Sequence, residues 1–100
     1  MDSNIMYNYS RENEELVIIL NTEHIFHKIL INNKKLSIPT ILNIFAEISA
    51  EIKIIDEVES EIEQNNLINY FNRLNFIKSS SMEILLNSLK KYKGKYKEKI

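Results

Sequence analysis

Residues 37–63 read SIPTILNIFAEISAEIKIIDEVESEIE, and this stretch decides the fold. Its apolar residues recur every three or four positions, at Ile41, Phe45, Ile48, Ile52, Ile55, Val58 and Ile62. That spacing places them along one side of a helix, whereas a strand would need strict alternation. Ser37 is a suitable N-cap, and Pro39 fits the first turn without losing a helical hydrogen bond. The pattern therefore predicts one long helix over 37–63, ending before the polar residues 64–66.

The predicted helix is about as long as a compact domain of this size. It spans roughly 40 Å at about 1.5 Å per residue, whereas the radius of gyration of a compact 100-residue domain is about 13 Å. The helix must therefore bend, break near Asp56, or carry one end onto another chain. Its apolar repeat averages about 3.5 residues, the period of coiled coils. A partner helix is thus one alternative to packing within the chain.

The N-terminal residues have the pattern of a β-hairpin, which we place over residues 4–21. Ile5, Tyr7 and Tyr9 form one alternating set, and residues 16–21 read LVIILN. This second strand is apolar on both faces, as in a strand that is covered from both sides. Two strands alone are marginally stable. Either the helices cover both faces, or another chain completes the sheet.

Three further helices are predicted around the central one. A short helix covers 22–31, a second covers 66–76, and a third covers 81–93, where Ser80 and Glu83 form a capping box. Gly94 would end the last helix and leave residues 94–100 as a flexible basic tail. The chain is predicted to be a single α+β domain over 1–100, with an N-terminal β-hairpin followed by a helical bundle built on one long central helix.

Composition excludes several classes of protein. The chain is 44% hydrophobic and 27% charged, which indicates a globular domain rather than a disordered segment. It has no cysteine, so disulfides and thiolate metal sites are excluded, and its single glycine cannot build a phosphate-binding loop. It shows no signal sequence and no apolar run long enough to span a membrane, so we expect a cytoplasmic protein. Ile, Asn and Lys supply 42 residues, which is typical of an AT-rich genome.

Catalytic chemistry is not indicated. His24 and His27 could share a helix face, but the nearby candidates for further metal ligands are carboxylates such as Glu23. The serines at 79–81 have no histidine or lysine spaced to activate a nucleophile, so we interpret them as helix-capping residues. We expect no enzymatic activity, no cofactor, no metal and no small-molecule substrate.

Charge is distributed unevenly along the chain. Residues 1–66 carry five basic and twelve acidic side chains, and residues 67–100 carry eight basic and two acidic ones. Lysines interleaved with tyrosines near the C-terminus are typical of single-stranded nucleic-acid sites, with candidate contacts at Lys90, Lys91, Tyr92, Lys93, Lys95, Tyr96 and Lys97. An acidic helix could instead mimic nucleic acid and inhibit a basic protein, through Glu57, Glu59, Glu61 and Glu63.

One segment resembles the C-terminal region of proteins that carry an Hsp90- or histidine-kinase-like (GHKL) ATPase domain. An apolar strand runs into Asn21, Thr22, His24 and Phe26, and a helix with Ala46 and Ala50 follows. In those proteins a similar Asn, Thr, any, His, Pro, Phe segment follows a strand, and Ile25 replaces the proline here. Their ATP-binding residues belong to an N-terminal domain, so no catalytic residue is carried over. The resemblance implies a detached regulatory or assembly module.

Our leading hypothesis is a non-enzymatic protein-interaction subunit, acting as a homodimer or as the small partner of a larger protein. Its contact surface would be the hairpin edge and the apolar helix stripe, namely Leu16, Ile18, Leu20, Ile41, Phe45, Ile48, Ile52, Ile55 and Ile62. A small nucleic-acid-binding protein is the first alternative, and the acidic inhibitor is the second. No membrane contact is expected.

Overall fold

The computed structural model describes residues 4–95, and it describes side chains as far as residue 89. Strands β1 (Tyr7–Glu12) and β2 (Glu15–Leu20) are followed by a π-helical segment (His27–Ile31), helix α1 (Lys34–Asp56) and helix α2 (Glu61–Lys95). The predicted α+β class, with a hairpin preceding long helices, is confirmed. The molecule measures 53 × 23 × 22 Å, and its length is that of α2, since 35 helical residues span roughly 52 Å.

The hairpin is closed by a two-residue turn. β1 and β2 pair antiparallel, with Tyr7 opposite Leu20 and Glu12 opposite Glu15. Asn13 and Glu14 between them have φ values of 50° and 67°, as a type I′ turn requires. Asn tolerates this left-handed backbone, whereas for Glu14 it costs about 1 kcal/mol.

Helix α1 begins and ends earlier than the predicted 37–63. Its N-cap is Asn33, whose side chain accepts a hydrogen bond from Lys35 N at 3.0 Å. Pro39 therefore lies inside the helix. Pro39 has no N–H to donate to the Lys35 carbonyl, yet the helix continues through it.

The predicted long helix breaks after Asp56, one of the three alternatives that its length required. Ser60 starts α2, because its hydroxyl accepts from Glu63 N at 3.4 Å and its carbonyl accepts from Gln64 N at 2.9 Å. The Gln64 side-chain amide donates to the carbonyls of Val58 and Ile55, at 2.7 Å and 3.4 Å. One side chain thus caps the end of α1 from the first turn of α2, and the predicted helix end at 64–66 is wrong.

Helix α2 is continuous where two helices, 66–76 and 81–93, were predicted. The serines that suggested a cap lie in its interior. Ser79 Oγ donates to the Asn75 carbonyl one turn earlier, at 2.8 Å, so its hydroxyl is satisfied without ending the helix. The capping box at Ser80 and Glu83 is therefore wrong, and Gly94 lies within α2 rather than after it.

The short helix predicted over 22–31 is present but starts later: a turn occupies residues 22–24, and the chain is helical over 25–31, of which His27–Ile31 is π-helical. Phe26 precedes this segment, and Asn32 N donates to the His27 carbonyl at 2.9 Å, the wide five-residue closure of a π-turn. The segment connects the end of β2 to the N-cap of α1.

The core lies between the inner face of the hairpin and the two helices. Its most buried members are Ile48, Met6 and Phe26, and Ile48 is 1% exposed. Tyr7, Ile44 and Leu86 are buried almost as completely. Partly buried residues from all elements complete it, namely Tyr9, Leu16, Ile18, Leu20, Ile25, Ile29, Leu30, Ile41, Ile52 and Met82. The apolar stripe of the central helix therefore packs largely within this chain.

A buried polar junction joins the N-terminal end of the hairpin to α2. Met6 N donates to Ser79 Oγ at 2.9 Å, across 73 residues of sequence. His24 Nδ1 accepts from Phe26 N at 3.0 Å, and its Nε2 lies 3.1 Å from the Ser79 carbonyl. Because Nδ1 is an acceptor, the proton belongs on Nε2, which donates to that carbonyl. We call Met6, His24 and Ser79 the hairpin–helix junction.

We expect Ser79→Ala to lower the free energy of unfolding by about 1–3 kcal/mol, because it leaves the buried Met6 N–H without a partner. Urea unfolding followed by circular dichroism measures this change. Ser81→Ala is the matched control, since Ser81 is exposed on the same helix, and it should change stability by less than about 0.5 kcal/mol. Equal effects of the two substitutions would contradict the role assigned to Ser79.

Candidate protein interface

The outer edge of β2 presents unpaired main-chain groups. In an antiparallel hairpin, alternate residue pairs exchange hydrogen bonds, and the pairs between them direct N–H and C=O outward. Asn21 N bonds to the Met6 carbonyl at 2.9 Å, which fixes the alternation. The register then turns the main-chain groups of Leu16, Ile18 and Leu20 away from β1. Within residues 4–89, these outward groups have no hydrogen-bond partner.

The outer edge of β1 differs because side chains cover it. Asn75 of α2 donates to the Tyr7 carbonyl at 3.0 Å, and Asn8 Oδ1 accepts from Tyr9 N at 2.8 Å. The hairpin thus has one partly occupied edge, that of β1, and one open edge, that of β2. The open edge lacks the residues that usually prevent a strand edge from pairing with another chain. Residues 16–20 contain no proline, no lysine and no other charge.

Apolar side chains are also exposed on the outer face of β2 and on both helices. Ile19 is 46% exposed and alternates with half-buried Val17 on the hairpin face that points away from the core. On α1, Ile38 and Leu42 are each more than 60% exposed. Of residues 4–89, thirteen large apolar residues are more than a third exposed: Ile19, Leu36, Ile38, Leu42, Ile54, Ile62, Ile68, Tyr70, Phe76, Ile77, Ile84, Leu85 and Leu89.

The structure distributes the predicted interface residues between core and surface. Ile48 and Ile55 are buried within this chain, and Leu16, Ile18, Leu20, Ile41, Phe45 and Ile52 are half-buried. Ile62 lies beyond the break in the helix and is 74% exposed. The buried stripe of α1 is therefore not accessible to a partner, and the accessible features are the β2 edge and the apolar residues outside the core.

The residues predicted for the acidic-inhibitor and nucleic-acid alternatives lie outside strand β2. Glu57, Glu59, Glu61 and Glu63 are exposed around the turn between α1 and α2 rather than on one helix. Lys90, Lys91, Lys93 and Lys95 belong to the last turns of α2, together with Tyr92, but their side chains lie outside the described residues. Tyr96, Lys97 and the rest of the predicted flexible tail also lie outside the described residues.

A half-buried charge cluster lies where β1, α1 and α2 meet. Lys78 Nζ donates a hydrogen bond to Glu47 Oε1, and both of these charges act on the nearby Tyr7 and Glu51. Burial raises the pKa of Tyr7 and of Glu51, and the negative charge of Glu47 raises both further. Burial is the largest single influence on Lys78 and lowers its pKa, but the hydrogen bonds and negative charges of Glu47 and Tyr7 together outweigh burial and raise the pKa of Lys78.

The cavity beside this cluster is small. It has a volume of about 10 Å³ and is lined by Tyr7, Tyr9, Glu51, Asn75 and Lys78, among others. Such a volume holds at most about one water molecule. The cluster therefore has the geometry of a contact between elements rather than of a substrate site.

Within residues 4–95, neither helix has an 18-residue stretch apolar enough to cross a bilayer. No three side chains among His, Cys, Asp and Glu of these residues converge as metal ligands. Both ring nitrogens of His24 already make hydrogen bonds in the hairpin–helix junction, so neither is free to bind a metal.

We expect Glu51→Gln to stabilise the fold relative to the natural chain as pH rises from about 4.5 to 7. The pKa of Glu51 is higher in the folded chain than its ordinary value of 4.5, so folding favours the protonated form. The penalty for ionising Glu51 therefore grows above that pH and is complete above the folded pKa. Glutamine removes the ionisation.

Urea unfolding of both chains at several pH values measures this difference. Glu83→Gln, at an exposed position of α2, controls for the loss of one negative charge. A stability difference for Glu51→Gln that stays constant with pH would contradict the proposed burial of its charge.

Comparisons with known proteins add no relative. A scan against protein-family models and searches of curated proteins and of solved structures found no match. Function is therefore inferred from the geometry of this chain.

Proposed function

We propose that this chain is a non-enzymatic protein-interaction or assembly subunit, acting as a homodimer or as the small partner of a larger protein. The open edge of β2 carries the proposal. A strand edge with unpaired N–H and C=O groups is a template for another strand, and adding a strand to such an edge is a common mode of recognition.

The exposed apolar residues support the same proposal. Single exposed apolar side chains are ordinary in monomers, but here they occur on β2, α1 and α2 together. The radius of gyration is 15.8 Å, compared with about 13 Å for a compact domain of this length, so the molecule is elongated. Burying such residues against a partner would contribute about 25 cal/mol per Å² of apolar surface.

The segment that resembles GHKL-associated proteins supports a structural role. Asn21 donates to the Ile5 carbonyl at 2.8 Å and accepts from Glu23 N at 3.1 Å, and His24 holds the hairpin–helix junction. These side chains shape the fold rather than form a reactive site. The resemblance implies an assembly module, and such a module requires only structural roles of these side chains.

We expect light scattering of the purified chain to give a mass above the monomer value of 11.9 kDa at micromolar concentrations. The larger species should persist in high salt, because main-chain and apolar contacts are screened less than contacts between exposed charges. A concentration series in low and high salt makes the measurement.

If the chain is monomeric, a dye that fluoresces on exposed apolar surface tests whether it has a surface for a different protein partner. A monomer that binds the dye would retain the small-partner form of the proposal. A monomer at all concentrations with no dye binding would contradict the proposal in both forms.

A further inference from the structure

We propose that two copies of this chain pair through their β2 strands, antiparallel, with Ile18 of one copy opposite Ile18 of the other. The pairing creates a four-stranded sheet in the order β1, β2, β2, β1. This inference rests on the proposed function and specifies its partner as a second copy. Three properties of the β2 edge favour it: hydrogen-bond register, side-chain complementarity and charge.

The register uses every open main-chain group of the edge. Leu16, Ile18 and Leu20 each direct one N–H and one C=O outward, as hydrogen-bonded pairs of an antiparallel ladder require. With Ile18 at the twofold axis, Leu16 of each copy lies opposite Leu20 of the other. All three donors of each copy then find acceptors, which gives six hydrogen bonds. If the two strands shift by two residues, the next hydrogen-bonded register, an end residue lies beyond the partner strand and its hydrogen bonds are lost.

Side chains on the outer face match in the same register. Val17 of each copy lies opposite Ile19 of the other, in the closer type of cross-strand pair. Ile19, which is 46% exposed in one chain, gains an apolar neighbour. On the inner face, Leu16 meets Leu20 and Ile18 meets its counterpart, so the two cores become continuous across the sheet.

Charge selects the antiparallel arrangement. The turn of the hairpin and its flanks carry Glu12, Glu14 and Glu15, all exposed. A parallel pairing would place two such turns side by side. The antiparallel pairing places them at opposite ends of the sheet, roughly 30 Å apart at about 3.3 Å per residue, which is beyond the screening length at physiological salt.

Growth beyond two copies is disfavoured because the edge of β1 is partly occupied. Asn75 bonds to the outward carbonyl of Tyr7, and Asn8 bonds to the outward N–H of Tyr9. A twofold contact that uses the β2 edge of both copies leaves only this partly occupied edge for a third copy. The expected product is a closed dimer rather than a fibre.

Engineered cysteines test the register directly, since the natural chain has none. Val17→Cys and Ile19→Cys chains are co-expressed, oxidised mildly and examined by intact mass. We expect a disulfide between the two different chains, because Cα atoms of such a pair lie about 4.5 Å apart. Each variant alone should cross-link several-fold less, since like positions lie about 8 Å apart, too far for a disulfide.

Efficient cross-linking of either variant alone would overturn the proposed register. A dimer detected by light scattering without the mixed disulfide would also overturn it, but would leave the assembly function in place. A chain that is monomeric at every concentration would exclude the homodimer, and the apolar-surface dye then decides whether the small-partner form of the proposed function survives.

A lysine substitution gives an independent test without cysteine. Ile19→Lys places a charge at the paired edge and should weaken dimerisation at least about tenfold, a loss of about 1.4 kcal/mol. Ser10→Lys is the matched control on the same outer face, but on β1, away from the new contact, and should leave the dimer mass unchanged. Equal weakening by both, or no weakening by Ile19→Lys, would contradict the pairing.

Discussion

The hydrogen bonds at Ser79 are the interaction on which the arrangement of elements depends. They connect Met6, at the start of the hairpin, and His24, which follows β2, to Ser79 in the middle of α2. All three residues are almost fully buried. The opposite end of the hairpin contacts α1 through Arg11 and Asp56, a pair 3.1 Å apart and more than half exposed. Exposed pairs of this kind contribute at most about 1 kcal/mol. The hairpin is therefore positioned mainly from its buried end.

Geometry explains why so much apolar surface stays outside the core. The hairpin strands have six residues each, whereas α2 has 35. A short sheet can cover only the middle of such a helix, so residues near both ends, such as Ile62 and Leu89, lack a cover from this chain. A second sheet joined edge to edge would widen the covering layer without lengthening either helix.

Sequence patterns predicted the elements that local chemistry determines. The alternation around Tyr7 and the helical stripe at Ile41 to Ile52 were sufficient for the hairpin and for α1. The helix boundaries were predicted less well, because serine followed three residues later by glutamate occurs at two places in the sequence. Ser60 with Glu63 starts a helix, whereas Ser80 with Glu83 does not. The difference arises from tertiary contacts of Ser79, which the sequence alone cannot show. The open edge was predicted from the doubly apolar strand, but its register required the observed pairing.

The 73-residue separation between Met6 and Ser79 has a consequence for biosynthesis. The hairpin is translated before α2, and its local pairing can form within microseconds. Its docking site on α2 does not exist until most of the chain has emerged. During that interval, both edges of the nascent sheet lack the cover that Asn75 later gives to β1. The nascent hairpin therefore exposes the Tyr7 carbonyl as well as the edge of β2 until Asn75 has been synthesised.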